Sequence, residues 1–185
     1  MVMQTVGQRI VVLGVTGSGK STLARELSSN YGFKYIELDN LYWKPNWEQS
    51  SDDEFIEKVT NVLVDHDSWV VDGNYTRAQI IWQKADTFIW LDYPLRVNFW
   101  RLWKRTWKRF LTQQPMWDAG NKESLWRHFL TKDSLFVWAW QSYPKKKKLY
   151  NELFASSEYD HCHMIHLQSP KETDEWLKWI KTDTH

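Results

Sequence analysis

The chain is poor in the features that mark secreted and membrane proteins. Cys162 is its only cysteine, which excludes an intramolecular disulfide and fits a reducing compartment better than secretion. No stretch approaches the ~20 consecutive apolar residues that cross a bilayer. The opening "MVMQTVGQRIVVLG" lacks the basic region, the long apolar region and the small-residue cleavage site of a secretory signal. Excess charge is missing too. Lys and Arg number 24 against 23 Asp and Glu, a formal net charge of +1, so nothing draws the whole molecule to nucleic acid or to a membrane. Internal repeats and Gly-, Ser- or Pro-rich linkers are absent, and "KKKK" at 145–148 is the one low-complexity tract. At 185 residues the expectation is a soluble, cytoplasmic chain whose residues 1–185 form one domain, too short for a motor or a pump.

Tryptophan, by contrast, is abundant. Fourteen in this length can build a core, a stacking surface or an interfacial face, and composition does not choose among them.

Short apolar runs alternate with helical patterns. "RIVVL" at 9–13 is a β-branched run stopped by glycine, and "KSTLARELSSNYG" places Leu23 and Leu27 four apart before a second glycine. "KYIEL" at 34–38 reads as a second strand. Residues 50–66 read as a helix with Ser and Asp at its start and Phe55, Val59, Val62 and Leu63 on one face. "SWVVDG" and "TFIWLDYP" read as buried parallel strands. A helical, aromatic region about 95–148 follows, then a last strand in "CHMIHL" and a last helix in "KETDEWLKWIK". This alternation predicts an α/β fold with a parallel sheet and right-handed crossovers, its ligands at the carboxyl ends of the strands.

Gly14, Gly19, Lys20 and Ser21 match G-x-x-x-x-G-K-[ST], with a strand before and a helix after. In such a loop the backbone N–H groups converge on phosphate oxygens, and the helix N-terminus adds a partial positive charge. Gly14, Thr16, Gly17, Ser18, Gly19, Lys20, Ser21 and Thr22 are therefore the expected ATP-binding residues. Lys20 is expected on the β and γ phosphates and the Ser21 hydroxyl on Mg²⁺.

The class of phosphate-loop protein is narrowed by what surrounds the loop. A GTPase needs Asn-Lys-x-Asp at a strand end, and the nearest stretch, "NKES" at 121–124, lacks the aspartate and lies in a helical region. "VVDGNYTR" at 70–77 resembles the D-G-aromatic-Pro-Arg segment of adenylate kinase-like kinases. Asp72 and Gly73 match, Asn74 and Tyr75 replace the aromatic and the proline, and Arg77 comes one residue late. The resemblance implies that Asp72 supports the hydrated metal and that Arg77 grips an acceptor phosphate. Arg101 and Arg105, nine and thirteen residues after Asp92, are similar to the R-x-x-x-R pair at the base of the adenylate kinase lid, and four-residue spacing puts both on one helical face. Two guanidinium forks suit phosphoryl transfer, which depends on positioning and charge stabilisation.

"LDNLYWKPNW" at 38–47 taken with "DGNY" resembles the small phosphate-loop family labelled DNA topology modulation proteins, over nearly the whole chain. That resemblance implies a three-layer, ATP-binding kinase fold, a five-stranded parallel sheet in order 2-3-1-4-5 with a helical lid insertion, and MgATP as cofactor. It supplies no acceptor beyond a guess at a nucleotide or nucleoside. In related small-metabolite kinases an aspartate at the position of Asp39 orients or deprotonates the acceptor hydroxyl; a helix cap is the other reading. Tyr42, Trp43 and Trp47 either roof an acceptor pocket or pack beneath the lid.

Residues 99–111 form an amphipathic helix with Phe99, Trp100, Leu102, Trp103, Trp107, Phe110 and Leu111 on one side and Arg101, Lys104, Arg105, Lys108 and Arg109 on the other. Motif spacing favours a lid helix with arginines toward phosphate and aromatics toward the core. A solvated cationic face and a nucleic-acid or membrane surface are the alternatives. Nucleic-acid regulation without kinase activity is accordingly the rival function. Arg127 and Lys145 to Lys148 add cations, one or more of which could close over the donor phosphates; a lysine run after Pro144 reads mainly as a solvated helix start. "HCHMIH" brings His161, Cys162, His163 and His166 close in sequence, but strand alternation divides them between two faces and disfavours zinc. Ser169 and Pro170 are expected to flank an adenine ring.

Overall fold

The computed structural model describes residues 4–73, 75, 79–112 and 135–183. Its five strands are the apolar runs of the sequence: β1 (Arg9–Gly14), β2 (Lys34–Glu37), β3 (Trp69–Asp72), β4 (Thr87–Leu91) and β5 (His163–Leu167). All neighbours pair in parallel, in the order β2-β3-β1-β4-β5. The three inner strands are covered on both faces, and so they read as continuous apolar runs without polar alternation.

The helices are α1 (Lys20–Tyr31), α2 (Leu38–Tyr42), α3 (Asp52–Val64), α4 (Gln79–Lys84), α5 (Leu95–Thr112), α6 (Leu135–Ala155) and α7 (Pro170–Asp183). Side-chain alternation along the sheet divides the core in two. Val11, Leu13, Val71, Phe88 and Trp90 pack against Phe55, Val59 and Leu63 of α3, Ile81 of α4, and Tyr150 and Leu153 of α6. Ile10, Val12, Val70, Ile89 and Leu91 pack against Leu23 and Leu27 of α1 and Trp176 and Ile180 of α7. Helices on both faces of a parallel sheet give the expected three layers.

Local chemistry sets the ends of these helices. The Ser51 side chain accepts from the Glu54 N–H and caps α3, whose first turn is acidic. Gly32, with φ 71°, closes α1 and donates its N–H to the Ser28 carbonyl. Two boundaries differ from the sequence reading. β2 ends at Glu37 and Leu38 opens α2, so Asp39 stands in the first turn of a short helix. α6 runs through Pro144 to Ala155. Proline removes one donor from the helix, and the burial of Tyr150 and Leu153 against the sheet holds the turns beyond it.

α5 departs further from its expected orientation. Its buried residues are Asn98, Leu102 and Thr106, while Trp100, Trp103, Trp107 and Leu111 are exposed. Arg101 and Arg105 face inward with the buried stripe, while of the aromatics expected in the core the three tryptophans are outside and Phe99 and Phe110 are half-buried. Among the described residues no helix is long and apolar enough to cross a membrane.

Candidate active site

Strand register brings the ends of the inner strands to one edge. Val12 lies opposite Asp72, Asp72 opposite Glu37, and Gly14 opposite Leu91. The chain leaves β1 at Gly14, circles through Thr16, Gly17 and Ser18, and enters α1 after Gly19, whose φ of 98° supplies a left-handed cap. No side chain caps this end of α1, so its first N–H groups and the positive end of its dipole face the cradle, as anion binding requires. Thr22 is exposed on the third position of the helix, and Thr16 is half-buried in the loop.

α5 lies directly over this loop. A Cβ placed on Gly17, where φ is 85°, would stand 2.3 Å from the Asn98 carbonyl oxygen, so the close approach of helix and loop requires glycine here. Arg101 Nη1 donates to the Ser18 carbonyl at 3.0 Å, and its guanidinium lies 5.3 Å from the Tyr93 ring centroid. Arg101 thus braces the loop backbone. Arg105, one turn further, is close enough to Lys20 to disfavour the charged form of its amine. The two arginines of the R-x-x-x-R pair share a face, as their spacing predicts, but they meet different groups.

Lys20 donates from Nζ to the Val15 carbonyl at 3.2 Å. Burial holds its ammonium below the usual lysine range, Asp72 and Asp39 draw it back up, and Arg105 lowers it again. Groups from α2, the end of β3 and α5 therefore all act electrostatically on the lysine that opens α1. Asp72 is 5% exposed. Its carboxyl is pushed up by burial and drawn down by Lys20 and by a hydrogen bond from Ser21. Tyr35 Oη donates to its Oδ2 at 3.5 Å, while Oδ1 is buried without a hydrogen-bond partner. A buried, unsatisfied carboxylate oxygen beside a serine hydroxyl at the mouth of a phosphate loop is a donor set of hard oxygens that fits Mg²⁺.

On the β2 side, Asp39 accepts a 2.6 Å hydrogen bond from Tyr75 Oη. Burial, followed by the Asp39 charge, drives the Tyr75 phenol well above its ordinary range, so it stays a donor. Sequence reasoning missed Tyr75 because it treated the residue after Asn74 as a deviation from a motif. Tyr42 is buried; it bonds Gln49 Oε1 at 2.8 Å and packs with Phe55 and Tyr75. It supports Tyr75 from within the core. Trp43 packs edge-on against Tyr42 and Trp47. Arg77 and Arg127 lie outside the described residues.

α6 closes the site on the remaining side. Lys147 Nζ and His166 Nε2 both meet Asp92 Oδ2, at 3.2 and 3.1 Å, and His166 stacks on Trp90 at 4.3 Å. His166 is thereby engaged with the sheet end. Lys145 and Lys148 are exposed, but Lys146 is half-buried and acts electrostatically on Lys20 and Asp39. The solvated helix start expected after Pro144 is instead the middle of a helix with one lysine turned inward. Ser169 caps α7, accepting from the Glu172 N–H at 3.2 Å, while the Gln168 N–H bonds the Glu172 carboxylate at 2.7 Å.

A parallel 2-3-1-4-5 sheet with a glycine-rich loop between its central strand and first helix defines a phosphate-loop nucleotide-binding fold. Residues 10–123 match the AAA domain family, and the chain belongs to it. Over 110 residues the chain is 29% identical to a cytidylate kinase of Pyrococcus abyssi, covering 52% of this chain and 60% of the relative. Over 59 residues it is 42% identical to a probable gluconokinase of Schizosaccharomyces pombe, covering 32% of this chain and 27% of that one. The chain thus matches less than two thirds of the length of these relatives. Among solved structures, a sugar kinase from Janibacter superposes with a TM-score of 0.51 at 17% identity, over 97% of this chain and 94% of that one. A gluconokinase from Sinorhizobium meliloti gives 0.51 at 16%, over 98% and 97%. At these identities the two structures show a shared fold.

Proposed function

We propose that the chain is a cytoplasmic MgATP-dependent phosphotransferase that passes the γ-phosphoryl group to a small acceptor, a nucleotide or nucleoside being the first to test. One observation carries this reading. The Asp72 and Asp39 carboxylates and the Arg105 guanidinium all act electrostatically on the buried Lys20 ammonium, beside the phosphate loop. ATP would lie with its β and γ phosphates between the loop N–H groups and Lys20. Ser21 and Asp72 would hold the magnesium ion, which supplies charge neutralisation for the phosphates.

The acceptor oxygen attacks the γ phosphorus as the bond to the β–γ bridging oxygen breaks, leaving ADP. Asp39, oriented by Tyr75, receives the acceptor proton. Lys20 and Arg105 stabilise the charge that spreads over the transferring group. Arg101 braces the loop through the Ser18 carbonyl. Residues 1–185 form one unit, and the region about 95–148 serves as the lid. The close fit of Asn98 on Gly17 supports this, as does the family match across residues 10–123. Relatives named as cytidylate kinase and gluconokinase support a kinase while dividing the acceptor class between phosphate and hydroxyl chemistry.

The decisive experiment is ADP release measured across a panel of nucleotides, nucleosides and polyols with wild type and Lys20→Ala. Acceptor-dependent release that Lys20→Ala abolishes supports the proposal. Slow hydrolysis indifferent to every acceptor overturns it.

A specific observation favours a second reading, nucleic-acid regulation of the kind the DNA topology modulation resemblance suggests. Exposed Trp100 and Trp103 stack at 5.4 Å and 9°, and Lys104 lies over Trp100. Stacking surfaces with interleaved cations suit single strands. Binding that falls steeply between two salt concentrations supports this reading, and a flat response sinks it.

A further inference from the structure

The register of α6 is fixed by three contacts. Tyr143 Oη donates to the Tyr93 carbonyl at 3.5 Å, Lys147 Nζ meets Asp92 at 3.2 Å, and Tyr150 is buried against Trp90, its phenol beside the Gly14 backbone. Spacings of four and three place these residues on one helical face, turned toward the phosphate loop. Lys146 stands three residues after Tyr143 and four before Tyr150, on that same face. Its outer neighbours behave differently: Lys145 is exposed, and Lys148 reaches Glu152 on the surface at 3.8 Å.

We propose that Lys146 is a further phosphate-binding residue of this site, carried by α6 to the space between Lys20 and Asp39, where it contacts the γ-phosphoryl group of the bound triphosphate.

Two features support the assignment. The helical face that carries Lys146 meets the Tyr93 carbonyl, Asp92 and the Gly14 backbone beside the phosphate loop, and Lys146 interacts electrostatically with Lys20, on the donor side, and with Asp39, on the acceptor side. Among the described residues it has no carboxylate at ion-pair distance; its Nζ rests 4.7 Å from the Trp138 ring centroid, a contact that stabilises a cation only modestly. Burial, and then the charge of Lys20, push the Lys146 amine down to about 7, with Asp39 opposing. A polyanion entering this space removes the mutual repulsion and gives Lys146 the anionic partner it lacks.

The assignment rests on the kinase reading for the place of the γ-phosphate, but its test needs no acceptor. Binding of MgADP and of a non-hydrolysable MgATP analogue is measured by calorimetry for wild type, Lys146→Ala, Lys146→Arg and the surface control Lys148→Ala. Lys146→Ala is expected to lose ~10-fold affinity for the triphosphate, the scale of one charge-assisted contact, with ADP affinity held within about twofold. Lys146→Arg should keep most of the preference, and Lys148→Ala should match wild type. Retained ADP binding reports an intact loop in each variant, and Lys146→Gln replaces alanine if the helix packing suffers. An unchanged triphosphate-to-diphosphate preference in Lys146→Ala overturns the assignment. A wild type that prefers the triphosphate yet phosphorylates nothing in the panel overturns the kinase reading, and the affinity ratio still decides the role of Lys146.

Discussion

Tyr75 donates a 2.6 Å hydrogen bond to Asp39 across 36 residues of chain. The bond holds one oxygen of a carboxylate that also acts electrostatically on Lys20. A carboxylate on the first turn of a five-residue helix would otherwise have several rotamers, and the bond selects one of them.

Tyr75→Phe keeps the ring packing with Tyr42 and Phe55 and removes only the hydroxyl. The expected outcome is a kcat lower by roughly tenfold, in keeping with the scale of one net hydrogen bond to a charged group. MgATP affinity should be unchanged. Steady-state kinetics with the identified acceptor checks this, and a selective loss of ATP binding would contradict it.

Gly17→Ala sets a methyl group against the Asn98 carbonyl at 2.3 Å and forces a side chain onto a φ of 85°. Left-handed strain alone costs roughly 1–3 kcal/mol, and the overlap adds to it unless α5 shifts. A lower melting temperature together with weakened ATP binding is expected. Gly32→Ala is the comparison, because its φ is also positive but nothing lies within 4 Å of its added carbon. It should destabilise the protein while leaving nucleotide affinity intact.

The centre of the sheet was legible because its three inner strands are buried on both faces, and burial on both faces leaves an unbroken apolar run in the sequence. The loop was legible because close phosphate approach restricts the residue type at several positions at once. The orientation of α5 was not. A helical wheel sorts residues by hydrophobicity and assumes that the inward neighbour is oily. The neighbour of α5 is the polar backbone of the phosphate loop, so Asn98, Arg101 and Arg105 turn inward and Trp100, Trp103 and Trp107 turn out. Tyr75 escaped for a related reason. It acts on Asp39 from a distant segment, and no local spacing in "DGNYTR" records that meeting; "PKKKK" offered cations for the donor phosphates without showing which of them turns inward.

Asp72 carries a pH signature. Its folded-state carboxyl is raised by burial above the ordinary aspartate value. In the window above that ordinary value the folded state binds more protons than the unfolded state, so this group lowers stability as pH rises, until the raised folded value is passed. Asp72→Asn removes the effect. The nucleotide-free variant should therefore melt higher than wild type at pH 8, with the difference shrinking toward pH 4. The same variant should lose the dependence of ATP affinity on magnesium, which titration with and without a chelator measures. A variant that melts lower than wild type at pH 8 would show that Asp72 is stabilised by its partners more than it is penalised by burial.

Arg101 and Arg105 share a helical face but should fail differently when removed. Arg101 Nη1 bonds the Ser18 carbonyl at 3.0 Å and covers the Tyr93 ring, contacts made with the protein itself before any ligand arrives. Arg101→Ala leaves a loop carbonyl without its donor and an aromatic face uncovered. It should reduce stability by about 1–3 kcal/mol and weaken ADP and ATP alike, because the shape of the loop serves both. Arg105 acts on Lys20 as a like charge, a repulsion that costs energy in the empty site and becomes useful when an anion lies between them. Arg105→Ala should therefore spare ADP and lower kcat by roughly 10²- to 10³-fold, the range for losing one preorganised stabiliser of developing charge. Melting curves, ADP calorimetry and single-turnover kinetics on the two variants separate the roles. Equal losses in all three measurements would mean that the four-residue spacing reflects one structural cluster, with no division between a residue that shapes the loop and one that serves the reaction.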